Sequence, residues 1–271
     1  MTGDEVQRLA DQLLDAWDQA CTLPLPSARP GGFGSADGYA VAEALHQRRL
    51  ARGERPLGWK IGFTNRHIWP IYGVYAPCWG PVWDSTVEPL PEDHGSLALR
   101  GLCQPRLEPE IAFGIGRAPR PGMTLAELQG CIEWVAHAFE VVHTHFEGWR
   151  FQAADTVADF ALHGRLRVGP RSAARDWPEL AADLSALQVE LHCNGAPVEQ
   201  GRGAFVLDGP LQALRTLVDE MARTTPHWRI AAGDIVTTGT LTDAHPLVPG
   251  QRWQTKLSDP RLSGLTLEIV A

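Results

Sequence analysis

Arg106-Leu107-Glu108-Pro109-Glu110-Ile111-Ala112-Phe113 is the stretch around which this chain is organised. It reads as a short strand. Successive side chains on a strand point to opposite faces, so Glu108 and Glu110 project to one side while Leu107, Ile111 and Phe113 face a packed interior. Two like charges on one face repel unless a cation sits between them. A divalent metal with oxygen ligands meets that need. A solvated polar face is the plainer alternative, because charged residues are mostly exposed.

Composition narrows the field. A chain of 271 residues buries a full core. A formal net charge of −8 argues against nucleic acid and anionic membranes as partners. The cysteines (Cys21, Cys78, Cys103, Cys131, Cys193) are odd in number and form no C-x-x-C pair. That suits unpaired thiols in a reducing cytoplasm better than disulfides or a zinc site. Thr2 to Asp4 is polar, with no signal-peptide apolar region, and no apolar run approaches membrane-spanning length. A cytoplasmic location is expected.

Along the chain, Val6, Leu9, Leu13, Leu14 and Trp17 recur at helical spacing, and a second helix is expected from Ser35 to Arg52, stopped by Gly53. Gly58 to Thr64 then alternates as a strand, with Trp59, Ile61 and Phe63 on one face and Lys60, Gly62 and Thr64 on the other. Residues 72–87 read as a structured loop leading to a short strand. A capping box at Thr124-Leu125-Ala126-Glu127 predicts a helix through about Ala138, followed by a strand from Phe139 to Phe146. Glu140 then sits at the helix-to-strand junction. Leu187 to Cys193 is a strand ending in an Asn194-Gly195 hairpin turn, and Pro210 opens a helix through about Ala222. Strands follow at Ile235 to Thr238 and Leu265 to Val270. The pattern is α+β: a helical portion over 1–54 and a β-rich body over 55–271, in a single catalytic domain.

Three signals carry chemistry: Glu108 with Glu110, Glu140 beside an apolar segment, and Lys60 on an otherwise apolar strand. Three carboxylates with waters suit Mg²⁺ or Mn²⁺. A buried Lys60 near them serves as an acid–base group or a clamp for an anionic substrate; alone, it reads as a snorkelling lysine. The rival constellation is His143-Thr144-His145, which with Glu140 or Glu147 has the ligand types for zinc or iron. No G-x-S-x-G nucleophile motif occurs.

Taken together, several stretches resemble one family. They are Gly58-Trp59-Lys60-Ile61-Gly62-Phe63-Thr64, Pro77-Cys78-Trp79-Gly80, the Glu108–Glu110 strand, Phe139-Glu140-Val141-Val142, Asp155-Thr156-Val157-Ala158-Asp159 and Gly233-Asp234-Ile235-Val236-Thr237-Thr238-Gly239-Thr240. Their order resembles the hydratase/decarboxylase branch of the fumarylacetoacetate hydrolase superfamily. The resemblance implies a mixed β-roll, a homo-oligomer and a small 2-oxo or 2-hydroxydienoic acid as substrate. It implies a catalytic Lys60 and an Mg²⁺ or Mn²⁺ ion on Glu108, Glu110 and Glu140. Hydration of a 2-hydroxy-2,4-dienoate is the expected reaction. Decarboxylation of the 4-oxalocrotonate type and acylpyruvate hydrolysis, with His67 or His143 as base, are the alternatives. Thr240, Cys78, His163 and Asp155 are the expected substrate contacts. Cys78 stands where hydratases of the branch commonly carry an aspartate, and His163 departs from the branch's usual serine.

Overall fold

Helical spacing near the start of the chain becomes α1 (Gly3–Gln19), whose buried stripe includes Leu9, Leu13 and Leu14 and whose first turn is closed by a Thr2–Glu5 capping box. A computed structural model of the chain describes residues 1–271, the side chains of Ile71 and Tyr72 excepted. After a proline- and glycine-rich loop, α2 (Ser35–Ala51) packs its Val41, Ala44 and Leu45 against α1 and against Phe146, Ala154 and Phe160 of the body. Arg49 pins this junction. It is 1% exposed, with its guanidinium carbon 4.1 Å from the Trp17 ring centre and 4.8 Å from that of Phe160, and it pairs with Glu54 at 3.2 Å.

The remainder is mostly strand. First come β1 (Pro56–Gly62), α3 (Trp69–Tyr72), β2 (Cys78–Trp83), β3 (Val87–Pro89), β4 (His94–Ala98) and β5 (Arg106–Ile115). Then follow α4 (Leu125–Gln129), β6 (Ile132–Val142), α5 (Ala153–Ala158), β7 (His163–Ala173) and α6 (Leu180–Ala186). The chain ends with β8 (Gln188–Cys193), β9 (Ala196–Arg202), α7 (Pro210–Thr224), β10 (Ile235–Thr240), β11 (His245–Pro246), β12 (Arg252–Leu257) and β13 (Thr266–Val270). An eight-stranded sheet runs β2-β1-β10-β5-β6-β7-β3, with β11 also on β5, and a five-stranded sheet runs β4-β13-β12-β8-β9. Parallel pairs (β1 with β10, β3 with β7, β4 with β13) mix with antiparallel ones, as in a mixed β-roll. One core lies where α6 and α7 cover Ile61, Ile111 and Phe113. Another fills the space where Leu107, Phe139 and Val141 of the larger sheet meet Leu191, Trp253 and Leu267 of the smaller.

Two expectations need correction. The helix opened by Thr124 forms its capping box but ends at Gln129, and the residues expected to continue it become the central strand β6. From Trp134 to Val142 every residue of β6 is buried. Such a strand is apolar on both faces, so it loses the period-two signal that separates strand from helix. Glu140 therefore sits inside a strand. Residues 72–87, expected as a loop before a short strand, contain the fully buried β2, paired antiparallel with β1 so that Cys78 faces Gly62.

Leu13 is fully buried in the helical core, so Leu13→Ala should cost about 2–5 kcal/mol. If residues 1–54 belong to one domain with the body, urea unfolding of this variant will show one cooperative transition, monitored alike by tryptophan fluorescence and far-UV circular dichroism. Two separated transitions would instead mark the helices as an independent unit.

Candidate active site

The register of the large sheet builds the site. Glu108 pairs directly opposite Glu140 across β5 and β6, and Glu110 lies two residues along the same face, opposite Ala138. Small residues share this face: Ala112, Ala136 and Ala138 leave room that larger side chains would fill. One carboxylate oxygen from each of Glu108, Glu110 and Glu140 lies within 4.8 Å of the others, and no other group of three metal-capable side chains forms among the described residues. Glu110 and Glu140 are fully buried and Glu108 is half-buried at the edge of a cleft.

Each carboxylate is held. Between Thr237 and Thr240 the pairing of β10 with β5 shifts register, and Gly239 turns its amide N–H onto Glu110 Oε2 at 2.9 Å. Gly239 has φ +98°, and a Cβ there would lie 1.8 Å from Thr64 Oγ1, so only glycine serves. Glu140 Oε1 accepts from His163 Nδ1 at 2.7 Å. Lys60, 3% exposed, donates to the Ala161 carbonyl at 3.0 Å and lies 3.3 Å from Glu140 Oε2 as an ion pair. Glu110 Oε1 and Glu140 Oε2 are buried without a hydrogen-bond partner. Glu140 Oε2 has only the Lys60 ion pair, and buried carboxylate oxygens left without a hydrogen bond are what a hard divalent cation satisfies, so the residues present fit Mg²⁺ or Mn²⁺.

The electrostatics follow from this crowding. Burial pushes Glu108 up to about 7, with Glu140 adding to the rise and Lys60 opposing it. Burial, then Glu140 and Glu108, drive Glu110 well above the carboxylate range. For Glu140, burial raises the pKa, but Lys60 and His163 outweigh it and hold the group below its ordinary value. Burial alone would lower Lys60; Glu140, Glu108 and Glu110 overcome it and keep the ammonium charged.

The cleft has a volume of about 290 Å³, and its lining includes Lys60, Cys78, Arg106, Glu108, Thr156 and Thr240. Burial pushes the Cys78 thiol up to about 11 despite Lys60 nearby, leaving a neutral, weakly polar wall. Of the four expected substrate contacts, Cys78 and Thr240 line the cleft. His163 stands behind Glu140 instead. Asp155 is spent on structure: its oxygens accept from the Ser27 amide and hydroxyl at 2.8 and 2.7 Å and from the Gln152 amide at 2.8 Å, capping α5. Arg106, Thr156 and the Ala161 carbonyl are parts of the site that sequence reading did not assign.

The histidine alternative does not assemble. His143 and His145 are fully buried beyond the end of β6, with Trp17 edge-on to His143 at 4.6 Å between ring centres. Asp159 binds His145 Nδ1 at 2.5 Å, and His143 Nδ1 accepts from the Cys103 amide at 3.2 Å. Neither His143 nor the exposed His67 lines the cleft, so neither is placed to activate water there.

Residues 91–260 match the family described as Fumarylacetoacetate (FAA) hydrolase C-terminal. The chain is 30% identical over 252 residues to a 2-hydroxyhexa-2,4-dienoate hydratase of Comamonas testosteroni, covering 92% of each chain. It is 31% identical over 252 residues to a 4-oxalocrotonate decarboxylase of Pseudomonas sp. (strain CF600), again covering 92% of each. Among solved structures, a 4-oxalocrotonate decarboxylase from Pseudomonas putida G7, complexed with magnesium and adipate, superposes with a TM-score of 0.90 at 27% identity, covering 100% of this chain and 99% of that one. With the carboxylate cluster, the buried lysine and the mixed β-roll in place, this chain belongs to the fumarylacetoacetate hydrolase family, in its hydratase/decarboxylase branch.

Proposed function

We propose that this protein is a divalent-metal-dependent lyase that hydrates a small 2-hydroxy-2,4-dienoate or 2-oxo-alkenoate. The observation that carries the reading is a buried lysine 3.3 Å from one of three clustered carboxylates at the foot of a small cleft. When bound on Glu108, Glu110 and Glu140, Mg²⁺ or Mn²⁺ supplies Lewis acidity towards the carboxylate and 2-oxygen of the substrate. Lys60 moves the proton. The dienol loses its C2 hydroxyl proton and gains one at C5, leaving a 2-oxo group conjugated with a C3–C4 alkene. Water oxygen then bonds to C4 and a proton to C3. Lys60 is anchored for this by the Ala161 carbonyl, and Gly62 beside it lets the Cys78 wall close in, its absent Cβ falling 2.9 Å from Cys78 Sγ. The enzyme is read as cytoplasmic, which its five free cysteines suit, and as a homo-oligomer, which the family resemblance implies.

Decarboxylation is the second reading, favoured by Cys78. Hydration must deliver both hydroxyl and proton of a water molecule, and the wall at Cys78 offers a neutral thiol where an acid would assist. Loss of CO₂ needs only an electron sink and one proton returned to carbon. Incubation with 2-hydroxypenta-2,4-dienoate and with 4-oxalocrotonate, following ultraviolet absorbance and CO₂ release, separates the two; turnover of neither would sink both.

Lys60→Ala should cut turnover by about 10²–10⁴-fold while Mn²⁺ affinity, read by titration calorimetry, stays largely intact. Equal collapse of both would make Lys60 structural. Glu110→Gln should abolish metal-dependent turnover, and retained metal dependence would remove Glu110 from the ligand set.

The raised pKa values set a pH dependence. Metal must displace the protons that Glu108 and Glu110 hold, so Mn²⁺ affinity should weaken as pH falls through about 7, by about tenfold per pH unit for each proton displaced and most steeply where both groups are protonated. The same shifts act on folding without metal. A carboxylate whose folded pKa lies above its unfolded one binds more protons when folded, so stability declines as pH rises from the ordinary carboxylate range towards about 7. Mn²⁺ at about one hundred times its dissociation constant should restore about 2.7 kcal/mol. A metal affinity that does not vary between about pH 6 and pH 8 would exclude Glu108 as a ligand.

A further inference from the structure

His163 is the first residue of β7, paired at the β6 edge of the carboxylate cluster, and is 1% exposed. Its two ring nitrogens are both engaged. Nδ1 lies 2.7 Å from Glu140 Oε1, and Nε2 lies 2.8 Å from Thr86 Oγ1. Thr86 is itself 1% exposed and fixed, its hydroxyl oxygen accepting from the Trp83 amide at 3.1 Å. An ionised Glu140 can only accept, so Nδ1 carries the hydrogen, and a neutral ring then leaves Nε2 as an acceptor. The single Thr86 hydroxyl hydrogen has two acceptors within reach, Nε2 at 2.8 Å and the Trp83 carbonyl at 3.1 Å. The contacts run from Trp83 through Thr86 and His163 to Glu140.

The backbone that delivers His163 is equally constrained. Phe160, Ala161 and Leu162 have φ of +55°, +51° and +62°, three consecutive left-handed residues without a glycine among them. Gly80 makes this turn possible, because a Cβ there would lie 3.0 Å from the Ala161 Cβ and 3.1 Å from the Phe160 carbonyl oxygen. The turn thus presents two groups at once: the Ala161 carbonyl to Lys60 and the His163 ring to Glu140.

From this geometry we infer that His163 is a positioning residue for the metal site, holding Glu140 so that Oε1 is filled by imidazole and Oε2 alone is offered to the cation. Oε2 is the oxygen left buried without a hydrogen-bond partner and the one facing Lys60. An imidazole that donates to a ligating carboxylate fixes its orientation, and removal of such a partner typically weakens metal binding by about 10–100-fold. The inference rests on the metal-site reading above.

The test is Mn²⁺ binding to the purified protein, by titration calorimetry and by the loss of free Mn²⁺ signal in electron paramagnetic resonance. His163→Leu should weaken binding by about 10–100-fold. His163→Asn, whose amide N–H can replace Nδ1, should recover most of that loss. A merely structural histidine would not show this rescue. A His163→Leu variant with native circular dichroism and unchanged Mn²⁺ affinity overturns the inference, as does an Asn variant as weak as the Leu variant. Should His163→Leu fail to fold, Thr86→Val retains the ring and removes the donor to Nε2; it should still weaken binding, and unchanged affinity overturns the inference. Glu110→Gln is measured alongside. If it abolishes binding while the His163 variants do not, only the role of His163 fails; if the unaltered protein binds no Mn²⁺, the metal site itself fails.

Discussion

Three carboxylates within 4.8 Å of one another, two of them fully buried, face a single ammonium. Two unit charges 4 Å apart interact by about 4 kcal/mol at an effective dielectric constant of 20, so each carboxylate pair opposes folding on that scale. Lys60 offsets part of this and leaves two negative charges. Burial first, and this repulsion with it, raises Glu108 and Glu110 so that they hold protons, while Glu140, closest to Lys60 and His163, stays ionised. A divalent cation would remove the same excess without protons. Crowding buried carboxylates thus opposes folding and would favour a bound cation.

Such a cluster survives only on a rigid support, and the sheet provides it. Glu108 and Glu140 are neighbours by strand register, so neither can withdraw without disturbing the central pair of the large sheet. His137 adds a tie beneath them, bonding the Glu110 carbonyl at 2.8 Å and Thr255 of the smaller sheet at 2.9 Å. Where the backbone must leave regular geometry it does so beside the site: at Gly239, whose amide reaches Glu110, and through the left-handed run from Phe160 to Leu162. A left-handed non-glycine residue costs about 1–2 kcal/mol, so this run persists because the packing around it allows nothing else.

What the sequence disclosed, and what it concealed, follows from range. The Glu108–Glu110 strand, the Lys60 strand, both N-terminal helices and the hairpin at Asn194-Gly195 rest on local period and turn chemistry, and they stand. Glu140 is legible as a candidate third carboxylate, but local pattern puts it at a helix-to-strand junction, because a strand buried on both faces carries no alternation. Asp155 was drawn towards the substrate by its place in a motif, yet Ser27, 128 residues away, consumes its carboxylate. The partnership of His163 with Glu140 was equally hidden, since nothing in spacing reveals a pairing set by the register of β6 with β7.

The division of labour within the cleft bears on which reaction it runs. On the proposed reading, Lys60, the carboxylates and the glycine turn would serve any chemistry that passes through an enol of a 2-oxo acid, so they would not distinguish adding water from losing CO₂. Discrimination would then fall to the other residues that line the cleft, Cys78, Thr156 and Arg106, the last with its guanidinium carbon 4.1 Å from the Trp149 ring centre. Cys78 keeps its proton at neutral pH, so its thiol cannot act as a base. On the proposed reading Lys60, kept charged by the carboxylates around it, would give a proton to carbon; as an ammonium it cannot take one from water.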